Sequence, residues 1–348
     1  MATPTETPRL VTAWLKDPLF DLCFIVGIAL LAAVMSGATI VQPLMMLPML
    51  AVHTWLFGYD HLLATYTKLA GRPQDRQQNH HLILYLPPLV MVLLYVLGKT
   101  SGMVGLYVLY FFGQFFHTVR QSWGLLQQYR QRAGGLPWDS AWLSEATLWS
   151  VPLWGFLNRC AQQPEEFLFQ PLWLPLVPDW LVVVFGVLSG VLCLHFFVTR
   201  VKAYRRGQLA LGHTLYMLSH LLIYLGGYVL IEDIGSGWLL VNVWHNVQYL
   251  AFVWLYNRRR FATGIAADSY TLSWLSQPGY LRAALFYLAC LAIASPIYYL
   301  LLRGGEQIDE LLHTSALPTV VIVSLGLTVS HYLVDGIIWK RKNNPTAL

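Results

Sequence analysis

A helix needs about 20 consecutive, mostly apolar residues to cross about 30 Å of hydrocarbon. This chain offers ten such runs, at roughly 19–41, 44–68, 80–98, 102–128, 140–157, 179–199, 210–231, 237–256, 281–302 and 316–339. No other feature narrows its folding options so far. The runs are continuous rather than alternating, and turn signals at strand-length intervals are missing, so helices are expected and not a barrel. The fifth run is the least apolar, because Trp142, Glu145, Thr147 and Trp149 interrupt it. Only 11% of the 348 residues are charged, against about 25% in soluble domains. A water-soluble globule, a disordered chain and a disulfide-stapled secreted domain are thereby excluded. The fold class expected is all-α, a polytopic transmembrane helical bundle.

Basic residues orient the runs. With both termini cytoplasmic, the inner segments hold Arg9 and Lys16, then Lys68, Arg72 and Arg76, then Arg120, Arg130 and Arg132. They continue with Arg200, Lys202, Arg205 and Arg206, then Arg258, Arg259, Arg260 and Arg282, and end with Lys340, Arg341 and Lys342. Of the 22 basic residues only Lys99, Arg159 and Arg303 are left for outer loops, the asymmetry that positive-inside sorting produces. Adding or removing one span would scramble it. The expected organisation is a polar cytoplasmic N-terminus (1–18), a single transmembrane helical domain (19–339) and a basic cytoplasmic tail (340–348). The first run is too long for a cleaved signal and is expected to be retained. A net charge of +5 then follows from topology and contact with anionic lipid. Nucleic acid is not an expected partner, since no basic–aromatic face lies outside the membrane. Cys23, Cys160, Cys193 and Cys290 show no CxxC spacing, so neither a disulfide framework nor a zinc ribbon is expected.

Eleven histidines stand beside only 17 acidic residues, in a class of protein whose interior holds ionisable groups mainly where they function. At 1.5 Å per residue, His61, His117 and His331 fall in the cytoplasmic third of their helices. His80, His81, His195 and His213 fall at cytoplasmic ends, His53, His220 and His245 near the midplane, and His313 alone in an outer loop. Spacing adds to placement. His53 and Asp60 are seven apart, about 700° of rotation or nearly two turns, and are expected on one face. His331 and Asp335 stand at i,i+4, where imidazole and carboxylate reach one ion or each other. His117 and Gln121 repeat that spacing, with Arg120 beside them, as do His245 and Tyr249 among Asn242, Asn246 and Gln248. His213 and His220 also share a face.

Imidazoles and carboxylates offered singly by several helices are what iron, zinc or manganese takes inside a bundle. The expected ligands are His61, His117, His245, His331 and Asp335, with His53, Asp60 and His220 as further candidates. Asp60, Gln121, Asn246 and Asp335 can accept the second N–H of a ligating imidazole. Arg120, Gln121 and Tyr249 are the candidate catalytic side chains, and Glu145 a further contributor from the fifth run. A single intramembrane histidine often only bonds a neighbouring helix, and His80, His81, His195 and His213 are read as such interfacial residues. Independent burial of His61, His117, His245 and His331 would be costly, so a shared polar site is the better account of those four. Two other motifs fail. Gly98-Lys99-Thr100 looks like the end of a phosphate loop, but position 93 is Leu. GxSxG and HExxH strings are absent, so hydrolase chemistry has no anchor.

Gathered on the cytoplasmic side of a helical bundle, these histidines give the chain a resemblance to the histidine-rich integral-membrane iron oxygenases. That class comprises fatty-acyl desaturases and hydroxylases and, more distantly, bacterial carotene-cleaving enzymes. One string adds to the architectural likeness: Gln77-Gln-Asn-His80-His81 has the QxxHH form found in some desaturases. The HxxxH and HxxHH boxes are absent, so ligands here would be single histidines on separate helices. Residues 117–130, 243–258 and 331–340 look like signature segments of one bacterial membrane family. The resemblance implies non-haem iron, one or two ions, dioxygen, a lipidic substrate and an electron-donor protein.

The expected function is a metal-dependent membrane oxidoreductase (an oxygenase, desaturase or hydroxylase) in a bacterial inner membrane. It would act from the cytoplasmic side on a lipid, fatty-acyl or isoprenoid substrate that enters from the bilayer. Iron is preferred to zinc because mixed imidazole–carboxylate sites with open positions suit dioxygen chemistry. One alternative is a haem protein exchanging electrons with quinone, two of the histidines being axial. Another is a proton- or metal-coupled transporter with a histidine relay. Transport needs polar groups continuing to the outer face, and beyond His245 the outer halves of the second, fourth and tenth runs are nearly all apolar.

Overall fold

The computed structural model describes residues 12–134, 140–312 and 317–340. Helix α1, Pro18–Val41, contains a π-helical turn at Cys23–Gly27. A second π-helical turn, Thr54–Gly58, separates α2 (Met46–His53) from α3 (Tyr59–Ala70). Then follow α4 (Pro73–Leu84), α5 (Leu86–Arg132), α6 (Ala141–Gln162) and α7 (Asp179–Arg205). Helix α8 (Leu211–Leu225) ends in a third π-helical turn, Gly226–Leu230. The chain closes with α9 (Ile234–Arg260), α10 (Tyr270–Leu275), α11 (Tyr280–Leu312) and α12 (Thr319–Ile338). Among the described residues the one sheet pairs β1 (Glu166–Phe167) with β2 (Gln170–Pro171) antiparallel, Glu166 opposite Pro171. The fold is all-α, and the ten apolar runs map onto these helices.

Among the described residues, five stretches are long and apolar enough to cross a membrane: α1, residues 73–132, α7, α11 and α12. On α7, Val183, Val187, Val191, Leu194 and Val198 are exposed, and on α11 so are Leu288, Ile293, Ile297 and Leu300. Each exposed square ångström of such surface costs about 25 cal/mol in water. Hydrocarbon removes that cost, while the helices satisfy their own backbone groups. This is a membrane protein. The remaining runs fall short for local reasons. Glu145 and Arg159 lie on α6, and α8 has only 15 regular residues. Helix α9 is polar yet buried at every residue from Ile234 to Asn246, so it needs no apolar outer face.

The helices divide into two compact units. The first takes α1, α5 from Phe115, α6, α7, α8 and α9 up to Trp244. Ser36 Oγ donates to the Ser236 carbonyl and Thr39 Oγ1 to Ser236 Oγ, both at 2.8 Å, fastening α1 to α9. Arg159 is fully buried because the third π turn leaves carbonyls without helical partners. Its guanidinium donates to the carbonyls of Glu232 (2.7 Å), Gly227 (2.8 Å) and Ile231. Gly237 permits close packing there, since a Cβ on it would overlap the Gly227 carbonyl oxygen.

The second unit takes α2, α3, α4, α5 up to Gln114, the small sheet, α9 from His245, and α10 to α12. Within α5, Gly102 has φ +66° and ψ −166°, a backbone that L side chains rarely adopt. There the helix folds back on itself. Val90 and Leu94 before the glycine, and Leu106 after it, share one buried cluster with Leu317, Ile322 and Leu325. A second cluster joins Leu69, Leu82, Val334 and Ile338. Tyr59 stacks on Tyr298 at 3.9 Å, Trp55 Nε1 donates to Ser295 Oγ (2.9 Å), and Tyr287 OH donates to the Leu56 carbonyl (2.9 Å). These contacts hold α3 and the turn before it against α11. At the far end of α3, Arg260 pairs with Asp75, and Arg72 Nε reaches the same carboxylate at 3.4 Å.

Candidate metal centre

Three helices of the second unit, α3, α9 and α12, converge on a buried cluster of donor atoms. On α12 the i,i+4 pair works as the spacing requires: His331 Nε2 lies 3.6 Å from Asp335 Oδ2. From α3, His61 brings its Nε2 to 2.8 Å from His331 Nε2. From α9, His245 stands with its ring centroid 5.1 Å from that of His61, and the two rings offer nitrogens within 4.8 Å of each other. Tyr249, one turn further along α9, packs its ring 4.3 Å from His61. Relative exposures of 2% for His61, 3% for His245, 5% for His331 and 8% for Asp335 leave no room for bulk water. Imidazole nitrogens held about 2.0–2.1 Å from one ion lie about 3 Å apart. The His61–His331 separation is close to that distance. These buried histidines can hold a metal ion.

Hydrogen-bond directions around the cluster fix the state of His331. Tyr249 has one proton and donates it to Asp335 Oδ1 at 2.8 Å. Its oxygen accepts from Trp339 Nε1 (3.2 Å), and is left as the acceptor for Thr65 Oγ1 at 2.8 Å. Thr65, its own proton committed, can only accept from His331 Nδ1 at 2.9 Å. The hydrogen of His331 is therefore assigned to Nδ1, leaving a lone pair on Nε2 aimed at His61. That tautomer is the one a ligating imidazole uses, its other ring nitrogen held by a neighbouring oxygen.

One expectation about this face needs correcting. His53 and Asp60 do not share partners: His53 Nε2 accepts from Asn246 Nδ2 of α9 (3.0 Å), whereas Asp60 lies away from that contact. The π turn between them is the cause. It contains one residue more than an α-turn, and that residue rotates everything after it by about 100°. Residues eight apart across the turn thus behave as residues seven apart in a regular helix. His61, not Asp60, follows His53 onto the face toward α9. Asp60 is fully buried, its Oδ1 accepts from the His61 backbone N–H (2.9 Å), and it lies within electrostatic reach of Tyr287 and Cys290 on α11.

The other expected residues belong to the first unit. His117 is buried there at 6% exposure, Gln121 and Glu145 are half-buried, and Arg120 is exposed. His220 is fully buried, its Nε2 bonded to the Leu148 carbonyl at 2.9 Å and its ring 4.6 Å from Tyr224. His220 is not in any group of donor atoms among the described residues that lie close enough to share one ion. His80, His81 and His195 are exposed, as interfacial residues should be, but His213 is fully buried. His313 lies outside the described residues. Thr65, Lys68 and Trp339 were not among the residues expected from the sequence. Their signal is positional: Thr65 is i+4 and Lys68 i+7 from His61, and Trp339 is i+4 from Asp335.

No protein-family model matches the chain, and no curated protein or solved structure matches it either.

Proposed function

We propose that this chain is a ten-span protein of a bacterial inner membrane, with both termini cytoplasmic, that oxidises a lipidic substrate at a buried metal centre. His61, His245, His331 and Asp335 would hold the ion, and iron is the metal that this mixed imidazole–carboxylate donor set suits for redox chemistry. The observation that carries the reading is the 2.8 Å approach of two imidazole Nε2 atoms, one of them held in its ligating tautomer by Thr65. When bound, the metal would supply one-electron chemistry with dioxygen. The chain's own residues do the rest. Tyr249 and Thr65 orient Asp335 and His331, Trp339 steadies the Tyr249 oxygen, and close packing of α3, α9 and α12 keeps water from a reactive oxidant. An electron-donor protein would complete the cycle. Haem is a poorer fit for this pair, because 2.8 Å between the His61 and His331 Nε2 atoms leaves no space for a macrocycle.

Elemental analysis and an optical spectrum of the detergent-purified protein test this directly. Stoichiometric iron without a Soret band is expected, falling in His331→Ala and in Asp335→Ala. The same measurement on His117→Ala decides whether that residue belongs to the ligand set. Protein that carries no metal and takes up neither iron, manganese nor zinc would overturn the reading.

A further inference from the structure

Lys68, at the end of α3, is a buried cation without a committed partner. It is 7% exposed, and its Nζ has no hydrogen-bond partner among the described residues. Two aromatic rings enclose it: Nζ lies 3.9 Å from the Trp339 centroid and 4.5 Å from that of Tyr256. Cation–π contact returns about 0.5–2 kcal/mol, whereas desolvating an ammonium costs several. The neighbouring charges are otherwise engaged. Arg260 and Arg72 both pair with Asp75, with Asp268 also within reach of Arg260. Asp335, the carboxylate that acts on Lys68 through space, already accepts from Tyr249. Among the described residues, none accepts from the three ammonium protons.

The position of Lys68 says what an outside acceptor belongs to. His61, Thr65 and Lys68 lie at i, i+4 and i+7 on one face of α3, so Lys68 stands about 10 Å along the helix from the metal ligand. Asp335 on α12 and Trp339 just past its end run in the same direction, as do Tyr249 and Tyr256 on α9. One end of this seam offers redox-capable donors and the other an ammonium flanked by apolar rings. We propose that Lys68 anchors the anionic headgroup, a carboxylate or a phosphate, of an amphiphilic substrate whose chain reaches the metal ligands by displacing part of the packing between α3, α9 and α12. The proposal rests on the metal reading above, and it makes the substrate an acid or phosphate ester oxidised well down its chain.

The test uses full-length protein in phosphatidylcholine nanodiscs, its metal content measured first. Radiolabelled palmitate and hexadecyl phosphate are titrated against wild type, Lys68→Met and Lys68→Arg, with hexadecanol and hexadecyltrimethylammonium as headgroup controls. Wild type should bind at least one anion about tenfold or more tightly than the alcohol, and the better anion identifies the headgroup. Lys68→Met should lose that preference with its metal content unchanged, while Lys68→Arg keeps most of it. Equal binding of anion and alcohol, or an unaltered preference in Lys68→Met, would overturn the proposal. Loss of metal in Lys68→Met would also overturn it, since Lys68 would then be the counter-ion of Asp335. Metal-free protein that still prefers anions through Lys68 would leave the headgroup site standing and remove the metal reading instead.

Discussion

Tyr249 makes more of the site's geometry than its position in the sequence suggests. Its hydroxyl touches Asp335, Thr65 and Trp339, so three side chains lose their orientation together if it is removed. Tyr249→Phe is expected to lower metal affinity about 10- to 100-fold, the usual cost of losing a residue that orients ligands. Competition with a chelator measures this, and unchanged affinity would mean that Asp335 is held by other contacts. His220→Ala should do the reverse. It strips the Leu148 carbonyl of its partner and costs about 1–3 kcal/mol of stability, with metal content unaffected, as thermal unfolding and elemental analysis would report. The pairs His331–Asp335 and His245–Tyr249 were legible in the sequence because α12 and α9 are regular helices through those residues. Thr65 and Lys68 were not, since neither residue type announces metal chemistry; only their register with His61 connects them to it.

Among elements, the turn Thr54–Gly58 decides which side chain faces α9. Deleting Phe57 should turn the π-helical turn into an α-helical one and leave α3 in register, because His61 would then stand seven residues after His53 in a regular helix. His61 would keep the face toward α9. The variant is expected to stay helical by circular dichroism and to keep its metal; loss of the metal would show that the turn does more than absorb one extra residue. This element also marks where periodicity in the sequence stops being informative. Apolar runs reveal helices and their rough ends, because hydrocarbon demands them. A single added residue leaves hydropathy untouched while shifting phase, so the face of His53 and Asp60 was read from a spacing that the backbone does not keep. Helix α9 shows a related effect: its asparagines and histidines weaken it as an apolar run, yet it is buried at every residue from Ile234 to Asn246, and the side-chain amides of Asn242, Asn246 and Asn257 each donate to an acceptor.

For the molecule as a whole, exposed valines and leucines on α7 and α11 require a bilayer, and the loop charges predict how the chain is oriented within it. In a cysteine-free background, Lys99→Cys should react with a membrane-impermeant maleimide added to intact cells, and Arg206→Cys only after lysis. The opposite pattern would invert the proposed topology, and labelling of both from one side would change the number of spans. The reversal at Gly102 bears on how such a chain is made. Two apolar helices joined through one glycine present the insertion machinery with a single hairpin, and between Leu86 and Val119 its only fixed charge is Lys99. The two arms can leave the translocon together, with no polar loop to be carried across. The first of the site's three helices, α3, would then already be in the bilayer, waiting for α9 and α12 to be synthesised.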